Sequence, residues 1–139
     1  MKHLLFGLLL LFCVSAKGIE VTHGPWICDM DSTGATIVWV TDKPGLSWVE
    51  IAPEGKDHFY GKVRPRYYDV LAGRKLLTDS VHRVRVTGLK PDSRYRYRVF
   101  TQQVDEWRYD DWVSLGKTAY TDVWKGKPYE FKTYPVKPR

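Results

Sequence analysis

The chain has 139 residues, of which 43% are hydrophobic, a size that suits one domain with a single core and leaves no room for a second. Its formal net charge is +6, so the protein is mildly basic. No stretch shows helical periodicity of useful length, and the patterning therefore favours an all-β domain.

Residues 1–16 are predicted to be a secretory signal peptide. Lys2 precedes an unbroken apolar run over 4–14 that is too short to span a bilayer, and Ala16 supplies the small residue that signal peptidase requires. The alternative is a lipoprotein signal acylated at Cys13, which is disfavoured because a bulky residue precedes that cysteine. The rest of the chain is therefore expected to be exported to the periplasm or the extracellular space.

Short β-like runs separated by turn residues make up the first half of the domain. In the second run, Ile37 and Trp39 face one side and Val38 and Val40 the other, as in a strand. The runs predict a first strand over 19–28 interrupted by Gly24 and Pro25, strands over 35–41 and 46–52, a weaker one over 58–63, and an irregular crossing connection over 64–79.

Cys28 is the one cysteine outside the predicted signal peptide. An internal disulfide is therefore excluded, and stability must come from packing and hydrogen bonds. No base lies near it in sequence, so Cys28 is predicted to be a small core side chain and not a nucleophile.

A tyrosine corner is predicted between two alternating strands in the second half of the chain. Residues 81–87 and 94–99 alternate apolar with polar side chains. The turn between them contains Leu89 and Pro91, and Tyr95 stands where the tyrosine of immunoglobulin-like sandwiches hydrogen-bonds to the upstream backbone. These residues predict a sandwich, and none of them is a candidate for a catalytic role.

Arginines alternate along both strands of the corner, as they do in some nucleic-acid-binding surfaces. The two strands are expected to belong to opposite sheets. Arg83 and Arg85 are then predicted to face solvent on one side of the domain, and Arg94, Arg96 and Arg98 on the other. Two stripes on two faces do not form one groove, so no nucleic-acid partner is expected.

An aromatic insertion over 102–127 separates the last two predicted strands and is interpreted as an elongated hairpin or a long loop. The last strand is predicted over 131–134, and 135–139 read as the start of a linker, so the domain is expected to span 17–134. Five residues of the insertion are candidates for contact with a neighbouring domain or a glycan: Trp107, Tyr109, Trp112, Tyr120 and Trp124.

The titratable residues give no motif for catalysis or for a cofactor. The four histidines are scattered, and the Asp-x-His, Gly-Asn-His and Gly-Asp motifs of two-metal phosphoesterases do not occur. His82 is interpreted as a strand residue and not as a ligand. Asp110 and Asp111 are adjacent, so on an extended chain they point to opposite faces and cannot act as an acid–base pair.

Several short motifs occur together along the chain: Gly24-Pro25-Trp26, Ala35-Thr36-Ile37-Val38-Trp39, Ser47-Trp48-Val49-Glu50, the segment 82–91, and Tyr95-Arg96-Tyr97-Arg98. In combination they resemble the N-terminal, fibronectin type III-like domain of purple acid phosphatase-type metallophosphoesterases. The likeness looks closest to the exported calcineurin-like form of Bacteroidetes-like bacteria. It covers nearly all of the chain after the predicted signal peptide.

The resemblance implies an immunoglobulin/fibronectin type III-like antiparallel β-sandwich of about seven strands that packs against a two-metal phosphoesterase domain. In that family the metal ligands and phosphate-binding histidines lie in the second domain, so no catalytic or metal-binding residue is carried over here. The two-metal centre is expected only in that catalytic domain, and no cofactor is expected in this chain.

The predicted function is that of a noncatalytic accessory domain of an exported metallophosphoesterase, with the catalytic domain in cis or split. The chain is interpreted as a truncated or split gene product or a cut domain. The alternative is a free-standing secreted adhesion or glycan-binding module that uses Trp107, Trp112 and Trp124.

Overall fold

Alternating apolar residues form β-strands throughout the parts of the chain described by the structure, a computed structural model that covers residues 18–77, 79–108 and 112–137. The predicted signal peptide lies outside these ranges, and within them no helix is long and apolar enough to cross a membrane. A 3₁₀ turn, Phe59–Gly61, follows the third strand. The strands are β1 (Val21–Cys28), β2 (Ala35–Thr41), β3 (Gly45–Pro53), β4 (Arg66–Tyr68), β5 (Val70–Leu71), β6 (Arg74–Lys75), β7 (Val81–Val86), β8 (Arg94–Arg108), β9 (Trp112–Thr121), β10 (Val123–Trp124) and β11 (Lys127–Lys132).

Two antiparallel sheets pack face to face. The smaller sheet has the order β1-β2-β7, and the larger has the order β10-β11-β8-β3-β4. β9 pairs with the same edge of β8 as β11 does, because Val99 lies opposite Thr121 and Tyr97 lies opposite Tyr129. The predicted immunoglobulin/fibronectin type III-like sandwich is thereby confirmed, with a long β8–β9 hairpin in the place of the insertion.

The core lies between the sheets and follows the alternation of the strands. On β7, His82, Val84 and Val86 are buried while the residues between them are exposed. Fully burying one large apolar side chain contributes about 1.5–3 kcal/mol, so the inward-facing cluster is the main source of stability. Its members are Ala35, Ile37, Trp39, Val49, Ile51, Val84, Val86, Leu89, Tyr97, Val99 and Phe131.

Polar side chains inside the core satisfy one another. Trp39 Nε1 on β2 donates a hydrogen bond to Thr101 Oγ1 on β8 at 2.9 Å, and Ser47 Oγ lies 2.8 Å from the same oxygen. His82 Nε2 lies 2.8 Å from Thr41 Oγ1, and the centroids of the His82 and Trp39 rings are 5.5 Å apart. Because buried polar groups need partners, the hydrogen bond from Trp39 to Thr101 fixes how the two sheets meet, and the other contacts satisfy the polar groups within each sheet.

The predicted strand over 58–63 is wrong, because the chain turns there. The 3₁₀ turn Phe59–Gly61 occupies this segment, and the N–H of Gly61 donates to the carbonyl oxygen of His58 at 3.0 Å. The connection over 64–79 contains more structure than predicted, since β4 pairs with β3 and β5 pairs with β6.

The prediction that Cys28 lies in the core is also wrong, because its side chain is exposed. β1 pairs with β2 through register shifts between Val21 and Trp26. After these shifts it is Ile27 that packs against the core. Neighbouring residues on a strand face opposite sides, so Cys28 points outward.

The turn from β7 to β8 is closed by Tyr95. The N–H of Lys90 donates to Tyr95 Oη at 2.8 Å, and Ser93 Oγ donates to the carbonyl oxygen of Pro91 at 2.8 Å. Leu89 is buried in the core cluster. The corner therefore ties the end of the smaller sheet to a strand of the larger one.

Replacing Tyr95 by Phe should lower the free energy of unfolding by about 1 kcal/mol, because the N–H of Lys90 loses its acceptor. Tyr95→Ala should cost about 3 kcal/mol or more, since the ring is lost from its packing against Phe131. Urea unfolding measures both values. Tyr134→Phe, at an exposed tyrosine, is the matched control and should leave the midpoint unchanged. A wild-type midpoint for Tyr95→Phe would contradict the role of this hydrogen bond.

His82 should make the fold less stable in acid. Burial lowers the pKa of its imidazole from 6.5 to about 4, so between these values the unfolded chain binds more protons than the folded one. Stability contributed by the neutral ring is present above pH 6.5 and is lost as the pH falls, by roughly 3 kcal/mol at pH 4. Urea unfolding across this range should show a flatter profile for His82→Gln than for the wild type. Equal slopes for the two proteins would contradict the assignment.

Candidate functional site

Four aromatic side chains lie in a row across the outward face of the larger sheet. Strand register places Trp48 opposite Tyr68 on one side and Phe100 on the other, and Phe100 opposite Tyr120. The ring centroids are 6.1, 5.2 and 6.1 Å apart in that order, and the Trp48 and Phe100 rings are stacked. We call this set the aromatic row. Trp48 is buried within it, whereas Tyr120 is exposed.

Charged side chains of alternating sign lie beside the aromatic row. Arg66 pairs with Glu50 at 3.3 Å, and Arg98 pairs with Asp122 at 3.4 Å. The Arg98 guanidinium lies 4.7 Å from the ring centroid of Phe100. These cations therefore pack on the faces of the aromatic row, which favours them electrostatically.

The loop that follows β3 folds back over this face and is held by Asp57. The Asp57 carboxylate accepts from Arg96 Nη2 at 2.8 Å and from Arg64 Nη2 at 2.9 Å. Arg96 also donates to the carbonyl oxygens of Asp57 and Pro53, at 2.7 and 2.9 Å. The hydrogen bond from Arg64, with the charge of Arg96, holds the pKa of the Asp57 carboxyl below its usual range.

The prediction that Arg96 and Arg98 face solvent is therefore wrong. They are only 5% and 3% exposed, because the loop covers them, whereas Arg94 is exposed as expected. Arg83 and Arg85 are exposed on the smaller sheet, so the two arginine stripes do lie on opposite sheets. The larger sheet therefore carries a cluster of cations that the loop covers, and not an exposed basic stripe.

A pocket of about 370 Å³ opens between the loop over 55–60, strand β8 and the segment 122–128. We call it the arginine pocket, because Arg96 and Arg98 line its floor. Asp122 and Tyr60 also line it, and Tyr60 Oη lies 3.4 Å from Asp122 Oδ2. The loop over 55–60 and the end of the predicted insertion therefore meet over the buried guanidiniums of Arg96 and Arg98.

A second, more open cavity lies between the edges of the two sheets. This edge groove has a volume of about 680 Å³ and runs between residues 19–24 and residues 118–121. Tyr120 and Trp124 line it, and both side chains are exposed.

The structure does not bring the predicted aromatic candidates together. Tyr120 and Trp124 line the edge groove, while Trp107 and Trp112 lie about 20 Å further along the β8–β9 hairpin. There the hairpin extends past β3, whose pairing with β8 begins at Gly45 opposite Gln103.

The two hairpin tryptophans also face opposite sides. Trp107 lies opposite Val113 and Trp112 opposite Arg108, so the alternation of each strand separates them. Both side chains are exposed. The fifth candidate, Tyr109, lies outside the described residues.

Sequence reasoning missed the residues that build the arginine pocket. Asp57 and Arg96 are 39 positions apart, and no local pattern pairs them. Tyr60 lies in the predicted strand over 58–63, which does not form. Asp122 lies within the predicted aromatic insertion, where it belongs to no recognisable motif. Among the described residues, no group of three His, Cys, Asp or Glu side chains is placed to hold a metal ion.

Comparison with known proteins adds a family. Residues 26–133 match the family described as Purple acid Phosphatase, N-terminal domain. The match runs from within β1 to the residue after β11, so it spans both sheets. No curated protein matches the chain.

Removing the charge of Asp57 should destabilise the protein, because Arg64 and Arg96 would keep two buried guanidiniums without their shared carboxylate. Asp57→Asn should therefore lower the urea midpoint. The matched control is Glu54→Gln, which removes an exposed partner of exposed Arg94 at 3.7 Å and should have little effect. Equal midpoints for the two variants would contradict a structural role for Asp57.

Proposed function

Because the chain belongs to the family of purple acid phosphatase N-terminal domains, we propose that it is a noncatalytic accessory domain of an exported metallophosphoesterase. Hydrolysis of the phosphate ester, and the two-metal centre that performs it, belong in this proposal to a separate catalytic domain. That domain is joined to the accessory domain in cis or is supplied as a separate chain.

The observation that carries the proposal is the family match across the whole sandwich. The family is defined as the N-terminal domain of a phosphatase, which implies that a catalytic domain accompanies it. The buried titratable residues also support a structural role. Arg64 and Arg96 are paired with Asp57, and His82 is hydrogen-bonded in the core.

The β8–β9 hairpin is the surface that we assign to contact with the catalytic domain. It extends beyond the sandwich and exposes Trp107 and Trp112 on its two sides. Tryptophan is enriched where protein interfaces are most strongly bound, because it buries a large rigid surface at a small cost in conformational entropy. A ribbon with one tryptophan on each side suits insertion between two walls of a partner.

Glycan binding by a free-standing secreted module is the second candidate function, and it draws on the same exposed aromatic side chains. The geometry favours it less. Stacking along one sugar chain needs rings on one continuous face, whereas Trp107 and Trp112 face opposite sides and Trp124 lies at the edge groove. A glycan that contacts only one of these tryptophans would bury less surface than a protein domain that docks on the whole hairpin.

The purified full chain should not hydrolyse a chromogenic phosphate ester, with or without added Mn²⁺, Fe³⁺ or Zn²⁺. In this proposal the metal ligands belong to the catalytic domain. Release of the chromophore, followed by absorbance, measures the rate. Turnover that follows the protein through two independent purifications would contradict the noncatalytic assignment.

The partner can be tested separately. The DNA after the codon for Arg139, and the neighbouring genes, should encode the Asp-x-His and Gly-Asn-His motifs that the family resemblance implies for the catalytic domain. Their absence from every reading frame would contradict the accessory role and leave glycan binding as the better hypothesis.

A further inference from the structure

The arginine pocket has a net positive charge. Among its lining residues, Arg96 is paired with Asp57 and Arg98 is paired with Asp122. Lys56 also lines the pocket, so three cations face two carboxylates. The excess of positive charge favours an anionic ligand.

Arg98 carries an unmet hydrogen-bonding group within this pocket. Its side chain is only 4% exposed, and its buried Nε–H makes no hydrogen bond. The nearest carboxylate, that of Asp122, is 3.4 Å away, so it provides charge but not a well-aligned acceptor. Buried donors are rarely left in this state, and an acceptor at this guanidinium would complete the site.

An apolar wall stands beside the cations. The ring centroid of Tyr60 lies 3.8 Å from the Arg98 guanidinium carbon. Tyr60 is 62% exposed, so one face of its ring has room for a further contact. Val123 and Pro128 line the other side of the opening. The volume of about 370 Å³ lies within the range of small-molecule sites.

We propose that the arginine pocket binds a small organic oxyanion, a carboxylate or a phosphate attached to a ring or an apolar group. The oxyanion accepts hydrogen bonds from the Arg98 guanidinium, and Lys56 supplies a second cation. The ring of the ligand packs against Tyr60 and Val123. This binding needs no metal and no catalytic domain, so it stands or falls independently of the accessory role.

The test uses the full chain, with phenyl phosphate and benzoate as the two ring-bearing probes and inorganic phosphate as the probe without a ring. Amide chemical shifts are followed by NMR in a low-salt buffer free of phosphate. At least one ring-bearing probe should bind saturably and shift residues 55–60, 96–98 and 122–128. A preference between the two identifies phosphate or carboxylate as the recognised group. Inorganic phosphate should bind at least about threefold more weakly than phenyl phosphate if phosphate is recognised.

Variants decide whether the pocket is responsible. Tyr60→Ala should weaken binding at least about threefold by removing the ring, whereas Tyr134→Ala, at a tyrosine 57% exposed elsewhere, should leave it unchanged. Arg98→Lys keeps the charge but loses the planar donor set, and should weaken binding about tenfold. If Arg98→Lys does not fold, Lys56→Gln, at an exposed position, replaces it and should also weaken binding.

Two outcomes overturn the proposal. One is the absence of saturable binding of either ring-bearing probe up to about 10 mM, which would assign Arg98 a purely structural role. The other is a set of shifts spread over the basic surface that Tyr60→Ala does not change, since general charge attraction would then explain them.

Discussion

The larger sheet owes its covered outer face to one carboxylate, that of Asp57, which binds two buried guanidiniums. Without it, Arg64 and Arg96 would each hold a charge out of water with no acid beside it, which is one of the more costly arrangements in a protein. The bonds from Arg96 to the carbonyl oxygens of Pro53 and Asp57 then fix where the loop lies. The loop carries Tyr60 over Arg98 as a consequence.

Much of the fold could be predicted from the sequence because its signals are local. The alternation of β7 and the turn before Tyr95 each involve neighbouring residues, and both sit in the structure as strand and turn. Cys28 was predicted to be buried from its residue type alone. In β1 it is Val21 and Ile27, six residues apart, that face the core, so the residue after Ile27 points outward, and residue type does not show this.

The candidate site was predicted less well, because its contacts are distant in sequence. An arginine that alternates with apolar residues is expected on a wet face, and Arg94 follows this rule. Arg96 and Arg98 do not, since a loop some 40 positions earlier covers them. The period of a strand tells which face a side chain takes, but not whether another segment covers that face.

The insertion and the loop depend on each other at the arginine pocket. The segment after β9 supplies Asp122, which pairs with Arg98 and approaches Tyr60 Oη at 3.4 Å. A domain that lacked the hairpin together with this residue at its base would leave Arg98 buried with no acid. The hairpin therefore has a structural role in addition to exposing Trp107 and Trp112. The base of the hairpin supplies the carboxylate that balances the charge of Arg98 on the sheet beneath the loop. A domain that kept the loop but lost the hairpin would expose or unfold the loop and the sheet face beneath it.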